Sequence, residues 1–147
     1  MSAIQIDTID MNELFSLARQ AAESAYAPYS RFRVGAALIT DDGTIFSGCN
    51  VENRSYGLTV CAERTAVFKA VSGGQRSFKA LAISTPDSPI PVGPCGACRQ
   101  VLSEFMPPSA AVIFGGSGEE RVQTTIGELC PFDSLHNIRE WGIGNGE

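Results

Sequence analysis

Four side chains in two short segments of this sequence have the chemistry of a catalytic metal site. Cys61 and Glu63 stand two positions apart, and Cys95 and Cys98 form a C-x-x-C pair directly after Pro94. Three thiolates are enough protein ligands for a catalytic zinc, which keeps its fourth position for water, so Glu63 need not bind the metal. The sequence therefore predicts one zinc held by Cys61, Cys95 and Cys98, with Glu63 as the catalytic acid and base.

The order C-x-E and then P-C-x-x-C is more specific than a C-x-x-C pair alone. Redox proteins and structural zinc sites also contain such a pair. With the third Cys and the Glu, the pattern is the three-cysteine version of the zinc-deaminase signature, in which the Glu transfers protons. It indicates a zinc hydrolase that acts on a small, cytosine-like substrate.

The negative charge of the predicted metal site requires a positive group nearby, and Arg64 is the candidate. Three thiolates outweigh the charge of a zinc ion, and the negative excess opposes deprotonation of a bound water. Arg64 directly follows Glu63, so we expect its side chain to hydrogen-bond a ligand sulfur and to offset part of this charge. Both thiol-bearing segments are also expected to open helices, where unpaired N–H groups stabilise thiolates.

The rest of the chain predicts the elements that must position these residues. A capping pattern at Asp10 opens a first helix, which is expected to end before Pro28. Its apolar stripe is Leu14, Leu17, Ala18, Ala21, Ala22 and Ala25. Strands are predicted at 34–40, 44–49, 79–84, 110–114 and 121–124, and helices near Cys61, near Cys95, after Thr125 and over 132–141. This order predicts an α/β domain with helices flanking a mixed sheet.

Length and composition narrow the class of protein. One domain spanning 1–147 is expected, because 147 residues with 44% hydrophobic side chains can bury a substantial core. The sequence has no apolar run of membrane-spanning length and no signal-like start, and its five Cys are an odd number. We therefore expect a cytoplasmic protein with reduced thiols. A net charge of −5 disfavours nucleic acid as a partner and favours a small substrate.

Several separated motifs resemble those of cytidine deaminases of the short, homotetrameric, three-cysteine form. The matching segments, in chain order, are Pro28-Tyr29-Ser30, Phe32, Val34 to Leu38, Asn50 to Asn53, Tyr56-Gly57-Leu58, Cys61 to Ala66 and Pro94 to Gln100. They cover most of the chain from about Tyr26 to Leu129. The single His136, near the tail, has no partner motif and is given no metal role.

The resemblance implies hydrolysis of cytidine and 2′-deoxycytidine to uridine and 2′-deoxyuridine with release of ammonia, in pyrimidine salvage. It implies a three-layer α/β/α sandwich around a five-stranded mixed sheet, and a homotetramer with shared active sites. The implied roles are Phe32 against the pyrimidine, Asn50 and Glu52 at the ribose hydroxyls, Tyr56 at a neighbouring subunit's site, the backbone of Ala62 at the base, Glu63 in catalysis, and Cys61, Cys95 and Cys98 on zinc.

The sequence departs from the family pattern at two places. Arg54 stands where members commonly have a small residue, and it brings a positive charge near the loop that carries Asn50 and Glu52. Ser134 stands where members have a Phe that closes over a neighbour's pyrimidine. Phe132, two positions earlier, is the candidate to replace that Phe.

Three alternatives remain open at this stage. One is a deaminase of modified cytosine nucleosides of the blasticidin S type, and another is a polynucleotide-editing deaminase. The third is a structural zinc or redox module without catalysis. A structural zinc site needs a fourth ligand, which would have to be Cys49 or Cys130.

Overall fold

The computed structural model describes residues 10–133 and 135. Its helices are α1 (Met11–Ala22), α2 (Ala62–Ser72), α3 (Gly96–Phe105) and the short α4 (Ile126–Leu129). Its strands are β1 (Gly35–Thr40), β2 (Ile45–Cys49), β3 (Phe78–Ser84), β4 (Ala111–Gly115) and β5 (Arg121–Thr125). A single turn of 3₁₀ helix occupies Tyr56–Leu58 in the loop between β2 and α2. The predicted strands and the helices that begin near Asp10, Cys61, Cys95 and Thr125 are present, and apart from the end of α1 they lie within a few residues of their expected bounds.

The five strands form one mixed sheet in the order β2-β1-β3-β4-β5. β1 is antiparallel to both β2 and β3, β3 is parallel to β4, and β4 is antiparallel to β5. The parallel pair is joined by α3, in the strand–helix–strand connection that parallel neighbours require. Cys95 and Cys98 stand at the start of α3, so the predicted metal-binding pair lies within this connection.

Alternate residues of the strands feed two hydrophobic cores on opposite faces of the sheet. One core joins Leu38, Leu81 and Val112 to buried residues of α2 and α3. The other joins Ala37, Ile39, Ala80, Ala82 and Ile113 to buried residues of α1. One helix therefore covers one face and the remaining helices cover the other. The predicted three-layer α/β/α sandwich with a five-stranded mixed sheet is confirmed.

Helix α2 packs unusually close to the sheet, because the residue beneath it on β2 is Gly48. A Cβ atom added at Gly48 would lie 2.5 Å from the backbone N of Ala66 and 3.0 Å from the carbonyl O of Ala62. Only a residue without a side chain allows this approach. The position of the first turn of α2, which carries Cys61 and Glu63, is thus fixed by backbone contact with β2.

The first helix ends earlier than the sequence predicts. It stops at Ala22, with Glu23 as its C-cap, and does not continue towards Pro28. Tyr26 instead pairs with the loop after β2, where its N–H donates to the Asn50 carbonyl O at 3.0 Å and its own O accepts from the Glu52 N–H at 2.8 Å. This tertiary pairing competes with further helical turns.

Other expectations about this region are also corrected. Phe15 is buried against the sheet, although it is absent from the predicted stripe, whereas Ala21 and Ala25 are only half-buried.

The predicted tail helix over 132–141 lies largely outside the described residues, as do Ser134 and His136. Within residues 10–133 and 135, no helix has the length and apolar character needed to cross a membrane.

Candidate active site and metal centre

The three predicted zinc ligands converge from the starts of two helices. Cys61 is the N-cap of α2 and Cys95 is the N-cap of α3. Cys98 lies in the first turn of α3, where its backbone N–H donates to the Cys95 sulfur at 3.5 Å. The partial positive charge of both helix N-termini therefore acts on the thiols, and it favours their deprotonated form.

The donor set and its spacing fit a zinc ion. The Cys61 and Cys95 sulfurs are 3.8 Å apart, and all three sulfurs lie within 4.8 Å of one another. Tetrahedral coordination with Zn–S bonds of about 2.3 Å places neighbouring sulfurs about 3.8 Å apart. The cluster is able to hold one zinc.

Within the described part of the chain, the cluster contains no fourth Cys, His, Asp or Glu. Cys49 and Cys130 are free, half-buried thiols outside it. A three-ligand set leaves one coordination position open, as in catalytic zinc sites, whereas structural zinc sites are closed by four protein ligands. The arrangement therefore disfavours the structural-zinc alternative.

Arg64 lies beside the thiol cluster and acts on its charge. Its Nη2 donates to the Cys61 sulfur at 3.4 Å. The pKa of the Cys61 thiol falls to about 5, first because it accepts a hydrogen bond from Cys98 and also because of Arg64. The pKa of Cys98 is raised, because its proton is shared with the Cys61 sulfur and because it is buried. Arg64 therefore stabilises negative charge where the sulfurs meet.

Glu63 lies in the first turn of α2 and is 4% exposed. Burial raises the pKa of its carboxyl to about 7; the negative charge of Cys61 also raises it, while Arg64 opposes the rise. A carboxyl group with a pKa near neutrality exchanges protons readily at physiological pH, as a general acid and base must.

A cavity of about 180 Å³ opens directly onto Glu63 and onto two of the three thiols, Cys61 and Cys95. It is lined by Phe32, Val34, Asn50, Thr59, Cys61, Glu63, Ile83, Thr85, Val92, Gly93 and Cys95. The lining is largely apolar, with an aromatic ring, one amide and the buried carboxyl as its distinctive groups. Such a cavity suits a small, flat, polar heterocycle.

The structure brings Asn50 into this cavity but places Glu52 in the next one. Asn50 is 7% exposed, and its amide bridges two backbone groups: Oδ1 accepts from the Val34 N–H at 2.8 Å, and Nδ2 donates to the Phe32 O at 2.8 Å. Glu52 lines a neighbouring cavity of about 320 Å³ with Tyr29, Ser30, Tyr56 and Thr59. Thr59 lines both cavities, so the two adjoin.

The remaining predicted residues occupy different environments. Ala62 is buried and is the first residue of α2, so helix geometry leaves its N–H without an intrahelical acceptor. Tyr56 is 76% exposed, and its ring lies 6.0 Å from that of Tyr29. Phe132 is fully exposed and has a left-handed backbone, with φ of 55°, and it contributes nothing to the cavity at Glu63.

Sequence reasoning missed several residues that shape the site. Thr59, Thr85, Val92 and Gly93 line the cavity, yet they lie on loops without periodicity or motif. Arg99 has a positioning role: its Nε donates to the Pro94 O at 2.8 Å and its Nη1 to the Leu129 O at 3.1 Å. It thereby fixes the turn that presents Cys95. The sequence signal for this role of Arg99 is its position directly after the C-x-x-C pair.

Comparison with known proteins agrees with this geometry. The family model for the cytidine and deoxycytidylate deaminase zinc-binding region matches residues 9–115. A cytidine deaminase of Sporosarcina psychrophila is 52% identical over 84% of this chain and 90% of its own length. A blasticidin-S deaminase of Bacillus cereus is 35% identical over 93% of this chain and all of its own length.

Structural comparison gives the same result. A crystal structure of cytidine deaminase from Burkholderia pseudomallei matches with a TM-score of 0.80 and 47% identity, covering 84% of this chain and 98% of that one. The match combines substantial sequence identity with the same fold. On this evidence, and with the three-thiol cluster beside a buried glutamate, the chain belongs to the cytidine deaminase family.

Proposed function

We propose that this protein is a zinc-dependent hydrolase that converts cytidine and 2′-deoxycytidine into uridine and 2′-deoxyuridine with release of ammonia. The observation that carries the proposal is the placement of buried Glu63 beside the three-thiol cluster, at one cavity that also contains Phe32. The proposed role is in pyrimidine salvage, in the cytoplasm.

Cys61, Cys95 and Cys98 would hold the metal. When bound, zinc supplies Lewis-acid polarisation of the attacking water. Arg64 offsets part of the negative charge that the sulfurs add, through its hydrogen bond to Cys61. Without that offset, the thiolates would oppose loss of a proton from the water.

Glu63 carries the proton transfers. It accepts a proton from the water whose oxygen adds to the carbon bearing the amino group, and it delivers that proton to the adjacent ring nitrogen. It then moves the proton of the new hydroxyl to the amino group, which leaves as ammonia when the carbon–nitrogen bond breaks. Both steps need a carboxyl that is ionised and protonated in turn, and a pKa of about 7 suits this exchange.

The cavity walls position the nucleoside. Phe32 packs against the pyrimidine as an aromatic surface, and the backbone N–H of Ala62 reads the base. Asn50 and Glu52 act at the ribose hydroxyls; Asn50 keeps one amide hydrogen beyond its bond to Phe32, and the Glu52 oxygens keep lone pairs beyond those used by Tyr29 and Ser30.

The active assembly is proposed to be a homotetramer in which Tyr56 reaches a neighbouring subunit's site. Large apolar side chains are exposed on the loop before α2 and on the outer face of α2, namely Val51, Tyr56, Leu58 and Phe68. Val51 and Phe68 line the same shallow depression, and exposed apolar surface of this kind supports burial against another chain. Light scattering after size-exclusion chromatography gives the mass of the assembly.

The test is the fall in ultraviolet absorbance when the purified protein is mixed with cytidine, repeated with 2′-deoxycytidine and with blasticidin S. The third substrate is included because the blasticidin-S deaminase relative aligns along its full length. Chelation should abolish turnover and added zinc should restore it. No absorbance change with cytidine or 2′-deoxycytidine in zinc-loaded protein would contradict the proposed function.

A further inference from the structure

The segment that presents Phe32 to the cavity is held mainly by side chains. Residues 29–34 belong to no helix or strand, yet each of their six N–H groups has an acceptor. Four side chains and one carbonyl provide these acceptors: Glu52 for Tyr29 and Ser30, Ala27 O for Arg31, Ser30 Oγ for Phe32, Asp87 for Arg33, and Asn50 for Val34. The segment's order therefore depends on these acceptors.

Asp87 is the acceptor that reaches this segment from the loop after β3. Its Oδ2 accepts from the Arg33 N–H at 2.8 Å and from Nε at 3.0 Å, and its Oδ1 accepts from Nη2 at 2.7 Å. It stands in the loop after β3, which contributes Thr85, Val92 and Gly93 to the lining. A single carboxylate thus joins two loops that both line the cavity.

We propose that Asp87 is a positioning residue for the base-binding wall, which holds Phe32 in place through the backbone N–H and the guanidinium of Arg33. The proposal rests on the proposed function, since Phe32 is taken to pack on the pyrimidine. Asp87 itself does not line the cavity at Glu63, so it acts through its neighbour and has no contact with the reacting atoms.

The consequence should be confined to substrate binding. The Arg33 and Asp87 side chains are 45% and 26% exposed, so the ion pair adds little by charge alone. Its value lies in the fixed geometry of a bidentate pair combined with a backbone hydrogen bond. Cys61 and Glu63 are on α2, which Asp87 does not contact through any of these bonds. Loosening the Phe32 wall therefore weakens ground-state and transition-state binding alike, which raises KM and spares kcat.

The test compares Asp87→Ala and Asp87→Asn with a matched control, Asp42→Ala. Asp42 is also an aspartate that accepts a backbone N–H, that of Thr44 at 3.1 Å, and a side-chain bond from a distant residue, Gln75 at 3.0 Å. It lies in the turn at the other end of β1.

Asp87→Ala should raise the KM for cytidine about fivefold or more with kcat within about twofold of wild type. Asp87→Asn keeps an acceptor for the Arg33 N–H, so its KM should lie between those of the wild type and of Asp87→Ala. Asp42→Ala should lower the melting temperature and leave KM unchanged.

Each outcome is decisive when zinc content is equal and all proteins are folded by circular dichroism at the assay temperature. A wild-type KM in Asp87→Ala overturns the proposal, as does an equal rise in Asp42→Ala, or a fall in kcat without a rise in KM. If Asp87→Ala does not fold, a wild-type KM in Asp87→Asn overturns it. Failure of the wild-type protein to deaminate cytidine contradicts the proposed function instead, and is seen before any variant is measured.

Discussion

Replacing Glu63 by Gln should abolish deamination and, in the metal-free protein, increase stability at alkaline pH. Glu63 is 4% exposed, and burial raises the pKa of its carboxyl to about 7. Gln has nearly the same shape but cannot exchange protons, so kcat should fall by about 10²–10⁴-fold or more. The same substitution removes a carboxylate that must otherwise ionise in a buried position.

The size of the stability effect follows from the folded and unfolded pKa values. The carboxyl has an ordinary pKa of 4.5 and a folded pKa of about 7, so between these values the native state binds more protons than the unfolded state. Stability from this group is therefore fully present below pH 4.5 and is lost as the pH rises through 7. The difference between the two pKa values corresponds to roughly 3 kcal/mol in total. The Glu63→Gln protein lacks this titration.

Urea unfolding of metal-free protein at pH 5 and pH 8 measures the effect. The free energy of unfolding of Glu63→Gln, relative to wild type, should be higher at pH 8 than at pH 5 by roughly 2–3 kcal/mol. Glu13→Gln is the matched control, because Glu13 also lies in the first turn of a helix but is exposed, and it should show no such change. An equal difference between Glu63→Gln and wild type at both pH values, or retained turnover, would refute the reasoning.

Two further substitutions test how the site is supported. Arg64→Gln removes the hydrogen bond to the Cys61 sulfur and should reduce zinc affinity or turnover about 10–100-fold; wild-type zinc content together with wild-type kcat would exclude this role. Gly48→Ala places a Cβ 2.5 Å from the backbone N of Ala66, so α2 must move outward, with a loss of about 1–3 kcal/mol in stability. A displacement of about 1 Å in a catalytic group costs up to about 100-fold in rate, so kcat/KM of the folded protein should also fall. An unchanged kcat/KM would show that the sheet moves instead of α2.

Local sequence was sufficient for the metal-binding elements. The C-x-E and P-C-x-x-C spacings predict thiols at two helix starts, and Cys61 and Cys95 are the N-caps of α2 and α3. This succeeds because capping and the spacing within one helical turn are short-range properties. The central strands were equally recognisable, since β1 and most of β3 are buried on both faces and such strands are short, nearly continuous apolar runs.

Distant contacts explain what the sequence did not reveal. Helix α1 ends at Ala22 because Tyr26 pairs with the loop around Val51, a partner 25 residues away along the chain. Asn50 and Glu52 carry a motif, but only the fold shows that their side chains also bind the segment containing Phe32.

By itself, then, the sequence determined the kind of chemistry, because zinc ligation and proton transfer need particular side chains at fixed short spacings. Only the tertiary structure decided the surroundings of those side chains. Three examples are the burial that raises the pKa of Glu63, the close approach of α2 over Gly48 and the hydrogen bond from the Arg33 N–H to Asp87. Each depends on parts of the chain that are far apart in sequence. Such contacts are set by how the layers pack, and no local pattern encodes them.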